Sequence, residues 1–141
     1  MPDLVHAPLE PLLAQITPGN VEAGAIVVFA GTVRRHNENR EVAFLEYSAH
    51  PALATRTMAE IEAQILGRPG ILSCRLWHRI GRLELGEISV LIVVCSAHRA
   101  QAYEASRAAI EAVKQRLPVW KHEHYTDGTS EFVEGCRLQS S

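Results

Sequence analysis

The stretch ISVLIVVCSAHRAQAYEASRAAIEAVKQRLPVWKHEHY, residues 88–125, decides the fold. Its first ten residues are almost unbroken β-branched and apolar side chains, the pattern of a strand buried on both faces at the centre of a sheet. At His98 the period changes. Tyr103, Ser106, Ile110, Val113 and Leu117 recur at helical steps, so residues 98–117 read as a helix. Pro118 ends it, because proline lacks an N–H and restricts the residue before it. VWKHEHYTDGTSEFVE, residues 119–134, then reads as a hairpin turning at Asp127-Gly128. A lysine stands on each side of that proline, Lys114 before and Lys121 after, next to a tryptophan that reads as buried.

Upstream the same two periods alternate. PLEPLLAQI (8–16) reads as a short helix with its prolines at the start, closed by the turn signal TPGN. GAIVVFAGTVR (24–34) is a buried strand running into a polar loop, RHNENR. EVAFLEYS (41–48) is a strand apolar on nearly both sides. In PALATRTMAEIEAQIL (51–66), Ala54, Met58, Ile61 and Ile65 form one helical stripe. ILSCRLWHRIG (71–81) alternates again, and RLELGE reads as a turn before the central strand. The order is therefore α, β, β, α, β, β, α and a hairpin. Strand pairs separated by helices imply an α+β fold: a mixed, largely antiparallel sheet with helices packed on it, in a single domain over residues 1–141.

Composition narrows the function. The 141 residues carry a formal net charge of -2, so no global field exists to hold nucleic acid or an anionic membrane. Any cationic site has to be local. The longest apolar run, VLIVVC (90–95), is far too short to span a bilayer, and MPDLVHAPLE does not read as a signal peptide. Cys74, Cys95 and Cys136 make no C-x-x-C pair; the first two sit in apolar strands, as packing thiols do. A reducing, cytoplasmic setting is expected.

Four polar segments stand at the ends of buried elements. GTVRRHN offers Arg34, Arg35 and His36; SAHR opens the last helix with His98 and Arg99; the others are Lys114 and the segment WKHE. Free N–H groups at a helix start favour an anion, and arginine grips phosphate bidentately. The competing reading makes Ser96 a helix cap and Arg99 a solvated residue. Lys114 borders the buried helical stripe, where a lone lysine usually snorkels. If Lys121, Arg34 and Arg99 converge on it, positive neighbours and burial lower its pKa and make a neutral amine accessible. His122 and His124 share a strand face, but no third ligand stands at a telling spacing. A solvent-facing pair is expected there, and neither a metal site nor a cofactor.

These segments carry a resemblance. GAIVVFAGTVRRHN, LEYSAHPALA, HRIGRLELGE, VVCSAHRAQAYEA and KQRLPVWKHE occur in the order and spacing of the catalytic subunit of molybdopterin synthase, over about residues 22–134. The resemblance implies an α/β hammerhead fold and conversion of cyclic pyranopterin monophosphate into the dithiolene molybdopterin, in molybdenum cofactor biosynthesis. It also implies a sulfur donor: the thiocarboxylated C-terminal glycine of a small ubiquitin-like subunit, in a heterotetramer built on a homodimer of the large one. On the matching positions, Lys114 and Lys121 are the implied catalytic lysines. Thr32, Val33, Arg34, His98, Arg99, His122 and Glu123 are implied around the substrate. Thr32 stands where members often have lysine, and His122 where they often have arginine. A non-catalytic module binding a ubiquitin-like tail is the alternative, and a histidine-based metal hydrolase a third reading.

Overall fold

The computed structural model describes residues 3–16 and 19–134; part of the TPGN turn, Cys136 and the tail after Glu134 lie outside them. The elements in chain order are β1 (Asp3–Val5), α1 (Glu10–Leu13), β2 (Ala25–Thr32), β3 (His36–Asn37), β4 (Arg40–Ala49) and α2 (Pro51–Leu66). They continue with β5 (Ile71–Arg79), β6 (Gly81–Glu84), β7 (Ile88–Ser96), α3 (Arg99–Arg116), β8 (Val119–Tyr125) and β9 (Ser130–Glu134). The α+β expectation holds, and the strands divide between two sheets. The first has the order β1-β5-β7-β2; the second runs β3-β4-β8-β9, with β6 also paired to β4. Only β1 with β5 is parallel; the other pairings are antiparallel.

β7 is the central strand that its composition demands, buried along its whole length between β5 and β2. Helices α2 and α3 cover one face. In α2 the buried residues are Ala54, Met58, Ile61 and Ile65, the stripe read from the sequence. Each large member contributes roughly 1.5–3 kcal/mol by leaving water. His50 caps this helix, its Nδ1 accepting the Leu53 N–H at 3.2 Å, and Pro51 takes the first turn, where an N–H is dispensable. In α3 the buried stripe shares Ser106 and Val113 with the expected one but does not include Tyr103. It is Ala102, Ala105, Ser106, Ala109 and Val113, whereas Tyr103 is 64% exposed. Small residues let this helix lie close on β2 and β7, and a tyrosine on that stripe would not fit. On the opposite face, Leu9 and Leu12 around α1 pack with Trp77, Leu91 and Val93.

Three local readings are corrected. The first helix is only four residues long, a single turn that its own hydrogen bonds cannot sustain and that packing must hold. RHNENR is not an open loop. His36 and Asn37 pair with Glu41 and Arg40, and Glu38 and Asn39 make a tight turn at φ 50° and 65°, the left-handed conformation of a two-residue hairpin. RLELGE contains strand β6, which lies along β4 from Phe44↔Glu84 to Tyr47↔Gly81. The C-terminal hairpin is as expected, with Gly128 at φ 88° in its turn.

Candidate active site

Three elements end at the same place. The last turn of α3 carries Lys114, β8 carries Lys121 and Glu123, and the segment after β2 carries Val33 and Arg34. β7 runs antiparallel to β2 with Thr32 opposite Ile88, and α3 returns along the sheet, so the end of the helix overlies the start of β7. A cavity of ≈ 260 Å³ opens there. Phe29, Leu45 and Val90 supply apolar wall; Thr32, Arg34, His36 and Asn37 close one side and Tyr47 and Ser89 another. Lys114, Lys121 and Glu123 complete it.

The register between β4 and β8 decides which side chains enter. Tyr47 is opposite Lys121 and Leu45 opposite Glu123, so these four face inward. A register shift between Val42 and Phe44 resets the alternation of β4 and lets Val42, Leu45 and Tyr47 all be buried. His122 consequently points out of the other face. It was expected beside the substrate with Glu123, yet neighbouring residues of a strand cannot share a face. Trp120 is turned outward with it and is 49% exposed rather than buried.

Within the cavity the charges are unbalanced. Glu123 is 2% exposed and heavily used: Asn37 Nδ2 donates to its two oxygens at 3.0 and 2.9 Å, and the Tyr125 hydroxyl donates at 2.8 Å. Lys121 Nζ lies 3.7 Å from the same carboxylate. That single anion faces three cations. Among the described residues, Arg34 and Lys114 have no carboxylate partner. Lys114 as a residue is exposed, but neighbouring protein takes water from its amine at the cavity wall, which holds its pKa below the ordinary 10.5, and the positive charges of Lys121 and then Arg34 push it the same way. The amine therefore gives up its proton more readily than a free lysine does. Burial raises the Tyr47 phenol pKa, with the Ser89 hydrogen bond opposing and the charge of Glu123 adding. Behind Tyr47, edge-on at 5.0 Å between ring centroids, His78 is buried and held down to about 4, chiefly by burial, so it is neutral at pH 7. Its Nδ1 lies 2.9 Å from the Arg79 carbonyl oxygen, which places the proton on that nitrogen.

His98 and Arg99 are elsewhere. They open α3, fifteen residues from Lys114, which is about 22 Å along the axis at about 1.5 Å per residue. Ser96 does not cap the helix; its hydroxyl donates to the His98 carbonyl at 2.5 Å, and no side chain caps the first turn. One copy of the chain thus brings together Thr32, Val33, Arg34, Lys114, Lys121 and Glu123 and leaves His98, Arg99 and His122 out. Asn37, Tyr47 and Ser89 were missed by sequence reasoning, since only the pairing of strands distant in sequence delivers them.

A cavity with three convergent cations, one of them a lysine of lowered pKa, can bind an anionic substrate and move a proton beside it. The chain resembles known proteins over most of its length. The family model described as MoaE protein matches residues 5–116. The molybdopterin synthase catalytic subunit of Halalkalibacterium halodurans is 44% identical over 119 residues, covering 84% of this chain and 75% of that protein. The catalytic subunit of Pyrococcus abyssi is 43% identical over 114 residues, covering 81% and 76%. The crystal structure of molybdopterin synthase from Staphylococcus aureus superposes with a TM-score of 0.82 at 36% identity, over 93% of this chain and 95% of that one.

Proposed function

We propose a function for this chain from one premise: it belongs to the MoaE protein family, and the relatives it matches are molybdopterin synthase catalytic subunits. The chain transfers sulfur to cyclic pyranopterin monophosphate to make molybdopterin. The donor is the C-terminal glycine thiocarboxylate of a small ubiquitin-like subunit. The observation that carries this reading is the meeting of Lys114, Lys121 and Arg34 at one cavity with a single buried carboxylate, Glu123. Net positive charge there suits both a phosphorylated pterin and an anionic peptide terminus.

Sulfur transfer develops negative charge on the acyl oxygen and on the leaving group. The Lys114 ammonium stabilises that charge, and its lowered pKa lets it release and recover a proton at modest cost. Lys121, steered by Glu123, contacts substrate and keeps the Lys114 pKa down. Arg34, Thr32 and Val33 border the substrate from the end of β2. Thr32 brings a neutral hydroxyl, which leaves Arg34 as the only cation of that segment lining the cavity. His98 and Arg99 act from a second copy of the chain, because their own helix carries them away from their own cavity. In a homodimer they add an exposed guanidinium and an uncapped helix start to the neighbouring site, where they hold the phosphate. Two copies, each with one small subunit, give the heterotetramer. Buried free Cys74 and Cys95 fit a reducing cytoplasm, and no described helix is long and apolar enough to cross a membrane.

Lys114→Ala tests the assignment. Incubated with the thiocarboxylated small subunit and the pyranopterin, it should form dithiolene product at least about a hundredfold more slowly than the unmodified chain. Its unfolding midpoint should not fall, since the substitution relieves repulsion. Unimpaired turnover by Lys114→Ala would remove the lysine from the reaction.

A further inference from the structure

The outer face of β4 and β8 gathers a second chemical group that has no part in the cavity. Residues two apart in a strand share a face, so His122 and His124 project together. The β4–β8 register sets Glu46 directly opposite His122 and Phe44 opposite His124. This supplies the third ligand that local spacing did not offer. One oxygen, Glu46 Oε1, lies 2.8 Å from His124 Nε2 and 3.7 Å from His122 Nδ1. Ligand atoms from all three residues lie within 4.8 Å of one another. A zinc-class ion binds nitrogen and oxygen at about 2.0–2.2 Å, so two ligands of one tetrahedral ion stand about 3.4 Å apart. The 3.7 Å separation is close to that value, and the 2.8 Å one is a hydrogen bond between imidazole and carboxylate that a bound ion would replace.

The rings are also held in place. Phe132 stacks on His122 at 4.1 Å and 13°, and Phe44 stacks on His124 at 4.2 Å and 12°. Phe132 is 70% exposed, an unfavourable position for a phenyl ring unless the stacking is useful. The side chains of His122 and His124 are 24% and 26% exposed, and that of Glu46 is 49% exposed, so solvent can reach the group and complete a coordination shell. The cation on this face is Arg82, which lies 3.7 Å over the Phe44 ring and is ion-paired to Glu84.

We propose that Glu46, His122 and His124 form a binding site for one divalent transition-metal ion of the zinc class, tying β4 to β8 on the face opposite the cavity. Two imidazoles and one carboxylate are a borderline donor set that favours zinc, nickel or copper over magnesium or calcium. The site is independent of the sulfur-transfer reading and stands or falls without it.

The full chain, free of any affinity tag, is dialysed to equilibrium against zinc chloride at pH 7.5. One zinc per chain is expected, with affinity at least tenfold weaker in His124→Ala and in Glu46→Gln. Zinc should raise the thermal midpoint of the unmodified chain and of neither variant. Absence of binding, or binding unchanged by His124→Ala, overturns the site. Loss in His124→Ala with no change in Glu46→Gln reveals a plain histidine pair and overturns the three-ligand proposal. Cobalt loading of the unmodified chain gives a reading that does not depend on how the variants fold. Visible d–d bands without a thiolate charge-transfer band are expected; a thiolate band would assign the metal to cysteine and overturn the proposal.

Discussion

Replacing Glu123 with alanine should be the most damaging single change in the cavity, and its magnitude follows from the contacts. The carboxylate is buried and accepts from Asn37 Nδ2 and from the Tyr125 hydroxyl. Each of these donors loses a charged acceptor, at about 1.5–3 kcal/mol apiece. Lys121 loses its counterion as well. Its side chain is 22% exposed at a separation of 3.7 Å, so water recovers part of that loss and it adds about 1 kcal/mol at most. The total is about 4 kcal/mol, against a whole-domain stability of about 5–15 kcal/mol. A drop of about 15 °C in thermal midpoint should accompany it. Urea denaturation at pH 7.5, followed by tryptophan fluorescence and far-UV circular dichroism, reads the loss as a lower midpoint at unchanged slope. Glu123→Gln keeps an acceptor for Tyr125 but turns an amide donor toward Asn37, and should lose about half as much. A second reading comes from Tyr125. Burial and then the Glu123 hydrogen bond push its phenol up to about 12, so in Glu123→Ala its ultraviolet titration should move down towards 10. A loss under about 0.5 kcal/mol in Glu123→Ala would refute the picture of a carboxylate clamped by two donors.

Other outcomes follow from the same geometry. Lys121→Met removes the stronger of the two cationic influences on Lys114, so the Lys114 pKa should move back towards 10.5, as read by NMR titration of ¹³C-dimethylated lysines. Because that pKa is depressed in the fold, the unfolded chain binds more protons between the lowered value and 10.5, and stability from this residue should rise with pH across that window. His78 follows the same sign at lower pH: its contribution is present above about 6.5 and is lost as pH falls to about 4, an effect of about 3 kcal/mol. The urea midpoint of His78→Gln should vary less between pH 4 and 6.5 than that of the unmodified chain. Gly24→Ala should cost about 2 kcal/mol or more in thermal unfolding, because its Cβ is driven into the Ala97 carbonyl oxygen just before α3.

The parts of the fold legible in the sequence were those set by local periodicity. The stripe of α2, the apolar run of β7 and the stop at Pro118 each come from a contiguous pattern and were read correctly. Elements that exist only through distant partners were not. β1 has three residues and owes its existence to β5, and β6 to β4. The tight turn at Glu38-Asn39 lacks the glycine that usually announces one. In α3, Ser106, Val113 and Leu117 are buried as expected, but alanine carries so little hydrophobic signal that Ala102, Ala105 and Ala109 go unnoticed and the exposed Tyr103 is counted in their place. The cavity was half legible. Lys114 and Lys121 flank a proline and were singled out together, whereas Tyr47 enters only through its pairing with Lys121. His122 shows the converse. Its neighbours in sequence suggested the cavity, and the two-residue repeat of a strand took it to the other side.

β8 therefore serves two masters through one backbone. Of its odd positions, Lys121 and Glu123 line the cavity and Tyr125 supports Glu123 from behind; its even ones, Trp120, His122 and His124, face away. Substitutions in the even row leave the chemistry of the odd row untouched, so that outer surface is free to drift between lineages and to acquire or discard a role of its own. A single-residue insertion or deletion in β8 has no such freedom, since it would swap the two rows and deliver histidines where the lysine belongs.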